Sequence, residues 1–137
     1  MNKVVYSQEI LGLMNLLSRL TPARIKDCFK EDNLFYCVVE KGDIGKAIGR
    51  RGVNIKKIKQ ALKKNIKIIE FDPQPTEFVR NLIFPLQVEE IKETDGVIEI
   101  VGGDKKTKGL LIGRDGKNLA FLNRTVKRFF NVEVKIV

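Results

Sequence analysis

Two short stretches of this 137-residue chain share a pattern that suits the binding of phosphate groups. They read GKAIGRRGVN from residue 45 and GLLIGRDGKN from residue 109, and six of the ten paired positions are identical. Each has two glycines three residues apart, which can form a tight turn with positive φ and let a ligand approach the backbone. A helix that starts after the second glycine would present amide groups and its positive dipole end to an anion.

The candidate binding residues are those of the two turns and their close neighbours. In the first copy they are Lys46, Ile48, Gly49, Arg50, Arg51, Gly52, Asn54, Lys56 and Lys57, and in the second Ile112, Gly113, Arg114, Asp115, Gly116, Lys117 and Asn118. Asp115 takes the place of Arg51, and a carboxylate repels phosphate, so we expect weaker phosphate clamping by the second turn. Alternatively, the middle residues of the turn point outward, and backbone amides and Arg114 make the contacts.

The flanking sequence shows that each turn belongs to a repeated unit. Hydrophobic periodicity and breaker residues predict the order helix, strand, strand, helix, helix, strand in both copies. The predicted elements of the first copy are 7–20, 24–31, 34–41, 44–48, 54–64 and 66–71. Those of the second are 76–84 with Thr76 as its cap, 88–94, 97–101, a helix through 110–112, 118–130 and 132–137. The prediction is an α+β fold with two domains, 1–72 and 73–137, each a three-stranded sheet covered by three helices.

Charge is concentrated around the first turn. The chain has a net charge of +9, of which residues 1–72 carry +7 and residues 73–137 carry +2. Most of the excess lies between Lys41 and Lys67. A balance this basic favours a polyanionic partner, because bound phosphates release their counterions. Lys59, Lys63 and Lys64 could equally form a solvated helix face.

Other residue types indicate a protein without catalysis or cofactor. The chain has no histidine and two cysteines, Cys28 and Cys37, which predict buried reduced thiols rather than a metal site. A nucleotide-binding P-loop is excluded because Leu111 stands in place of its first glycine. We expect core positions for Phe35, Tyr36, Phe71, Phe78 and Phe84, and packing rather than base stacking for Phe129 and Phe130.

The N-terminal residues and the hydropathy pattern bear on localisation. MNKVVYSQEI lacks the apolar segment of a secretory signal. No apolar run approaches the roughly 18 residues that span a membrane. We therefore expect a cytoplasmic protein with neither a membrane partner nor a small-molecule substrate.

Both turns resemble the signature loop of the KH family of RNA-binding domains. The matching residues are Ile48 to Ile55 and Ile112 to Leu119. In that family the Gly-x-x-Gly loop clamps the backbone of about four single-stranded nucleotides. The helix–strand–strand order before the loop is similar to the prokaryotic, type II version of the fold. The resemblance implies that the candidate residues bind single-stranded RNA.

The tandem arrangement resembles the NusA family of transcription factors in its short archaeal form. That resemblance implies a transcription elongation, termination or antitermination factor that binds nascent RNA through both domains as one rigid surface, with RNA polymerase as a further partner. Two other hypotheses stay open. The chain could bind ribosomal RNA in ribosome assembly, or RNA generally as a chaperone. It could also be a protein-interaction scaffold whose KH fold no longer binds RNA.

Overall fold

The structure, a computed structural model, describes residues 6–137. These residues form two compact units, the first ending at Phe71 and the second covering Asp72–Val137. Each unit has the predicted order helix, strand, strand, helix, helix, strand, with a 3₁₀ turn between its second and third helices. The α+β prediction with two small three-stranded sheets is therefore confirmed.

The first unit contains three α-helices and three strands among the described residues. Its elements are α1 Gln8–Leu20, β1 Ile25–Glu31, β2 Leu34–Val39, α2 Ile44–Ile48, a 3₁₀ turn Arg50–Gly52, α3 Val53–Leu62 and β3 Asn65–Glu70. The second unit repeats this arrangement. Its elements are α4 Pro75–Ile83, β4 Glu90–Thr94, β5 Val97–Val101, α5 Lys105–Ile112, a 3₁₀ turn Arg114–Gly116, α6 Lys117–Val126 and β6 Glu133–Ile136.

The two sheets have the same topology. In the first, β2 lies in the centre, antiparallel to β1 and parallel to β3. In the second, β5 lies between the antiparallel β4 and the parallel β6. Parallel neighbours need a crossover connection. In each unit that crossover is the pair of helices joined by the Gly-x-x-Gly turn, so the sheet supports the turn from both of its ends.

The core of the first unit forms between α1 and the sheet. Ile10, Leu13 and Leu17 share one face of α1 and are buried, as the spacing of apolar residues predicts. Cys28 and Cys37 are paired across β1 and β2, and both are free, buried thiols. The hydrogen bond with Cys28, together with burial, raises the pKa of the Cys37 thiol. The prediction of reduced, buried cysteines is confirmed.

Phe78 occupies the centre of the second unit. It is fully buried on α4, and the ring centroids of Phe129 and Phe130 lie 5.2 and 5.8 Å from its own. The predicted packing of these two phenylalanines is confirmed. Helix α6 nevertheless ends at Val126, four residues before the predicted end. The backbone turns there, and the amides of Phe129 and Phe130 both donate to the carbonyl of Val126.

Two local predictions about α4 are wrong. Thr76 does not cap the helix, because Pro75 occupies its first turn and Gln74 is the N-cap, without a side-chain hydrogen bond. Proline suits that position, where its missing amide hydrogen is not needed. Phe84 is 70% exposed rather than buried. The helix ends at Ile83, and the extended backbone of Phe84 takes it off the apolar face. Tyr36 and Phe71 are half-buried.

Candidate nucleic-acid interface

The two Gly-x-x-Gly turns have nearly the same backbone conformation. Gly49 and Gly113 have φ, ψ values of 79°, 168° and 76°, 171°. Gly52 and Gly116 both adopt the left-handed conformation, at 74°, 19° and 71°, 14°. The residue directly before the second glycine is also left-handed in each copy, although it is Arg51 in the first and Asp115 in the second. Backbone geometry therefore defines the turn, and the charge of its middle residue does not.

The first glycine of each turn packs closely against the asparagine five residues later, which both copies of the repeat share. A Cβ on Gly49 would lie 2.8 Å from Cγ of Asn54 and 2.9 Å from its backbone nitrogen. A Cβ on Gly113 would lie 2.8 Å from the Cβ and backbone nitrogen of Asn118. The backbone conformation of these glycines is also one that residues with side chains almost never adopt. Glycine is thus required both by conformation and by space.

Each asparagine ties the new helix to the end of the preceding one. Nδ2 of Asn54 donates to the carbonyl of Lys46 at 2.9 Å. Nδ2 of Asn118 donates to the carbonyls of Leu111 at 2.8 Å and Leu110 at 3.2 Å. The structure thus gives both asparagines an internal role in closing the turn. Their expected contact with RNA stays a prediction.

The second glycine of each turn is the N-cap of the helix that follows. No side chain forms a capping hydrogen bond there, in either α3 or α6. A Cβ on Gly52 would make an ordinary 3.6 Å contact with Ile55, and one on Gly116 would meet no atom within 4 Å. The space next to this glycine is open in both units. The start of each helix therefore has room for an anion, which its dipole would favour, although its first two amides already donate to carbonyls of the turn.

Around the first turn most exposed side chains are basic, and Val53 is 43% exposed among them. Arg50, Arg51, Val53 and Lys56 line an open depression of about 770 Å³. Lys57 is exposed on α3 but does not line this depression, and Ile48 is half-buried against the core. The structure brings Arg50, Arg51 and Lys56 together as the sequence predicts. They form a positively charged concave surface beside the start of α3.

The corresponding surface of the second unit is mixed in character. Arg114, Asp115 and Lys117 are exposed. Leu110, which occupies the repeat position of Lys46, is 51% exposed, and Ile112 is 38% exposed. Leu110 was not among the predicted site residues, although the alignment of the two copies marks the exchange of a lysine for an apolar residue. The second turn therefore offers apolar surface where the first offers charge.

A buried carboxylate joins the start of α2 to the residue before β1, and sequence patterns did not reveal it. The side chain of Asp43 is 3% exposed, at the start of α2. It accepts hydrogen bonds from the backbone amide of Arg24 at 2.8 Å and from its Nε at 2.9 Å. Nζ of Lys46 lies 3.7 Å from Asp43. The hydrogen bonds from the side chain and backbone of Arg24 lower the pKa of Asp43 to about 2.

The described residues show neither a metal site nor a membrane span. Within residues 6–137, no three His, Cys, Asp or Glu side chains cluster as a metal ion would need. No helix in that range combines the length and apolar character required to cross a bilayer.

Several archaeal proteins are similar to the chain over most of their length. A protein of Methanocaldococcus jannaschii is 26% identical over 100% of this chain and 77% of its own. One of Halococcus morrhuae is 26% identical, covering 96% of each chain. One of Thermoplasma acidophilum is 24% identical over 96% of this chain and 94% of its own. Each is named probable transcription termination protein NusA.

The chain is similar in sequence to these archaeal NusA proteins.

A solved structure supports the same resemblance at the level of the fold. The crystal structure of APE1850 superposes on this NusA-like chain with a TM-score of 0.73, covering 96% of this chain and 100% of the other at 28% identity. No family model matches the sequence.

The role of Asp43 predicts a pH dependence of stability. Its pKa is about 2 in the folded state and near the ordinary 3.8 when unfolded. The unfolded state therefore binds the proton first, and the stabilisation present above pH 4 is lost as the pH falls toward 2. We expect Asp43→Asn to be less stable than wild type at pH 5, with a gap that narrows between pH 4 and 2. Urea denaturation followed by circular dichroism measures the gap.

The control for this experiment is Glu93→Gln, which removes an exposed carboxylate from β4. A stability gap for Asp43→Asn that stays constant from pH 5 to pH 2 would contradict the role given to this carboxylate.

The geometry of the turns predicts different tolerance at their two glycines. Gly113→Ala places a Cβ against Asn118 in a backbone conformation that alanine avoids, and should cost about 3 kcal/mol or more. Gly116→Ala requires only a left-handed alanine in open space, and should cost about 1–2 kcal/mol. Chemical denaturation of both variants, monitored by circular dichroism, gives the free energies of unfolding. Equal losses would show that the contact with Asn118 does not constrain the turn.

Proposed function

We propose that this NusA-like chain binds single-stranded RNA through its two Gly-x-x-Gly turns, each unit acting as a type II KH domain. The observation that carries the proposal is the repeated turn itself. Both copies combine an internally closed first glycine with an accessible, uncapped helix start at the second. Both copies have this geometry, although Arg51 in the first is replaced by Asp115 in the second. This favours a ligand that is bound mainly by backbone groups.

A sugar-phosphate chain suits the first turn chemically. Arg50, Arg51 and Lys56 surround the depression beside the start of α3. Phosphate oxygens there would accept hydrogen bonds from arginine and interact with the positive end of the helix dipole. The depression is open, so it suits a polymer that lies along the surface. Lys46, Lys57 and Ile48 complete the proposed contact surface.

The second turn would contribute differently. Arg114 and Lys117 would contact phosphate, but Asp115 would oppose it, and Leu110 and Ile112 offer apolar area suited to a base. We therefore assign most of the electrostatic affinity to the first unit. The second unit would add contacts that depend less on salt concentration.

In the cell the RNA would be a nascent transcript. The relatives are named probable transcription termination proteins, which favours a role in termination. The resemblance to NusA extends the proposal to elongation or antitermination, with RNA polymerase as a partner. A role in ribosome assembly, general RNA chaperoning or protein scaffolding has no such support.

Phosphate binding at the helix start predicts that a negative charge at the second glycine weakens RNA binding more than a neutral side chain of similar size does. Gly52→Asp and Gly52→Asn carry side chains of similar size, and both residues tolerate a left-handed backbone. The aspartate would put a negative charge at the start of α3, among the phosphates. We expect it to weaken binding of single-stranded RNA roughly tenfold more than the asparagine does. Fluorescence anisotropy at constant salt measures both dissociation constants.

Circular dichroism of both Gly52 variants is the control that tests whether they remain folded. Equal affinities for the two folded variants would mean that RNA does not bind at this helix start.

The cellular role predicts which RNA is bound. Crosslinking in cells, followed by sequencing of the attached RNA, should recover nascent transcripts of many genes, because a transcription factor meets RNA as it leaves the polymerase. A recovered pool dominated by ribosomal RNA would instead support ribosome assembly.

A further inference from the structure

The exposed face of α3 carries more positive charge than the turn requires. From Ile44 to Ile69 the sequence has nine lysines and arginines and no acidic residue. Five of these lysines lie on α3 or directly after it, and all five are exposed: Lys56, Lys57, Lys59, Lys63 and Lys64. Among residues 6–137, none of their side chains forms an ion pair. Only part of this charge lies at the turn.

These charges oppose the stability of the helix that carries them. Lys56 and Lys59 are three residues apart and lie on one flank of α3, where like charges repel, and Lys63 follows the helix directly as its C-cap. Lys63 additionally adopts a left-handed conformation, with φ of 55°, that a lysine adopts only at a cost. The arrangement persists without any compensating acidic neighbour on the helix. A polyanion bound along this flank would relieve the repulsion.

The second unit shows that the fold itself does not require lysine at two of these positions. At the repeat positions of Lys56 and Lys59, helix α6 has Ala120 and Asn123, whereas Lys127 and Arg128 stand at the repeat positions of Lys63 and Lys64. Asn123 is used internally, with Oδ1 accepting from the amide of Val134 at 2.8 Å and Nδ2 donating to its carbonyl at 3.1 Å. The same helix therefore packs in the same topology without lysine at the first two of these positions. Lys56 and Lys59 distinguish the surface of α3 from that of α6.

The basic flank is continuous with the depression at the first turn. Lys56 lines that depression together with Arg50 and Arg51. From Lys56 to Leu62, its last residue, the helix rises by about 9 Å at 1.5 Å per residue, and Lys63 follows directly. A strand held at the turn could follow this flank without leaving positive surface.

We propose that RNA bound at the first turn continues along α3, where Lys59 and Lys63 neutralise phosphates beyond the nucleotides held by the turn. This proposal rests on the proposed function of the turn, and it extends the RNA footprint to a second segment of the same strand. The first unit then binds a longer RNA more tightly than a short one by electrostatic contact alone.

The test uses a double variant that preserves the backbone. Lys59→Gln keeps a good helix former, and Lys63→Asn keeps a residue that tolerates the left-handed conformation. The matched control is Lys92→Gln with Lys135→Gln, which removes two exposed lysines from β4 and β6 of the second unit. Both double variants lower the net charge equally, so general electrostatic effects cancel in their comparison.

Binding is measured with fluorescein-labelled oligouridines of 5 and 15 nucleotides over a range of potassium chloride concentrations. Relative to the control, the α3 variant should bind the 15-mer roughly fivefold or more weakly, and its slope of log K against log salt should fall by about 1.4, or 0.7 for each lost phosphate contact. Its affinity for the 5-mer should equal that of the control. Circular dichroism of both double variants is the control that tests whether they are folded.

The outcomes separate this proposal from the function on which it rests. If both double variants bind the 15-mer equally, or if the α3 variant loses the same affinity for both lengths, RNA does not continue along α3. If wild-type protein and Gly52→Asp bind the 5-mer equally, the proposed function of the turn fails, whatever the 15-mer does.

Discussion

The candidate interface depends on the close approach of a glycine and an asparagine. In each unit the backbone of the new helix passes so near the first glycine of the turn that a single methyl group would not fit. The asparagine amide then holds the end of the preceding helix. This contact closes a tight turn between the two helices. The second glycine then lies at the N-cap of the new helix, where no side chain forms a capping hydrogen bond. Without the contact between glycine and asparagine the turn would have no fixed shape to offer a ligand.

The two units show how one backbone can carry different surface chemistry. Their turns agree within a few degrees, yet Lys46 and Arg51 of the first copy are replaced by Leu110 and Asp115 in the second. The asparagine contact explains this freedom, because it uses only residues shared by both copies. Side chains on the outer surface are not needed for closure, so they can differ. These exchanges leave more positive charge at the first turn and place the exposed apolar side chain of Leu110 at the second.

Much of the fold was predictable because its patterns are local. Apolar spacing along α1 and alternation along the strands predicted the elements and their order, and the repeat predicted the turn twice. One error occurred where distant residues decide, and two arose from residues next to the misassigned position. Helix α6 ends at Val126 because Phe129 and Phe130 pack on Phe78, some 50 residues earlier in the chain. Thr76 and Phe84 were misassigned because Pro75 moved the start of α4 and the helix ended before Phe84.

The sequence by itself determined the repeat, the glycine turns, the α+β order and the concentration of charge in the first half, since each follows from residue types at short spacing. Only the tertiary structure revealed the burial of Asp43 against Arg24, the reason that glycine is required beside Asn54 and Asn118, and the exposure of Leu110. These features arise from residues brought together across turns and between elements. The spacing of apolar residues predicts the helix or strand to which a residue belongs. Contacts between elements depend instead on which parts of the folded chain lie next to each other.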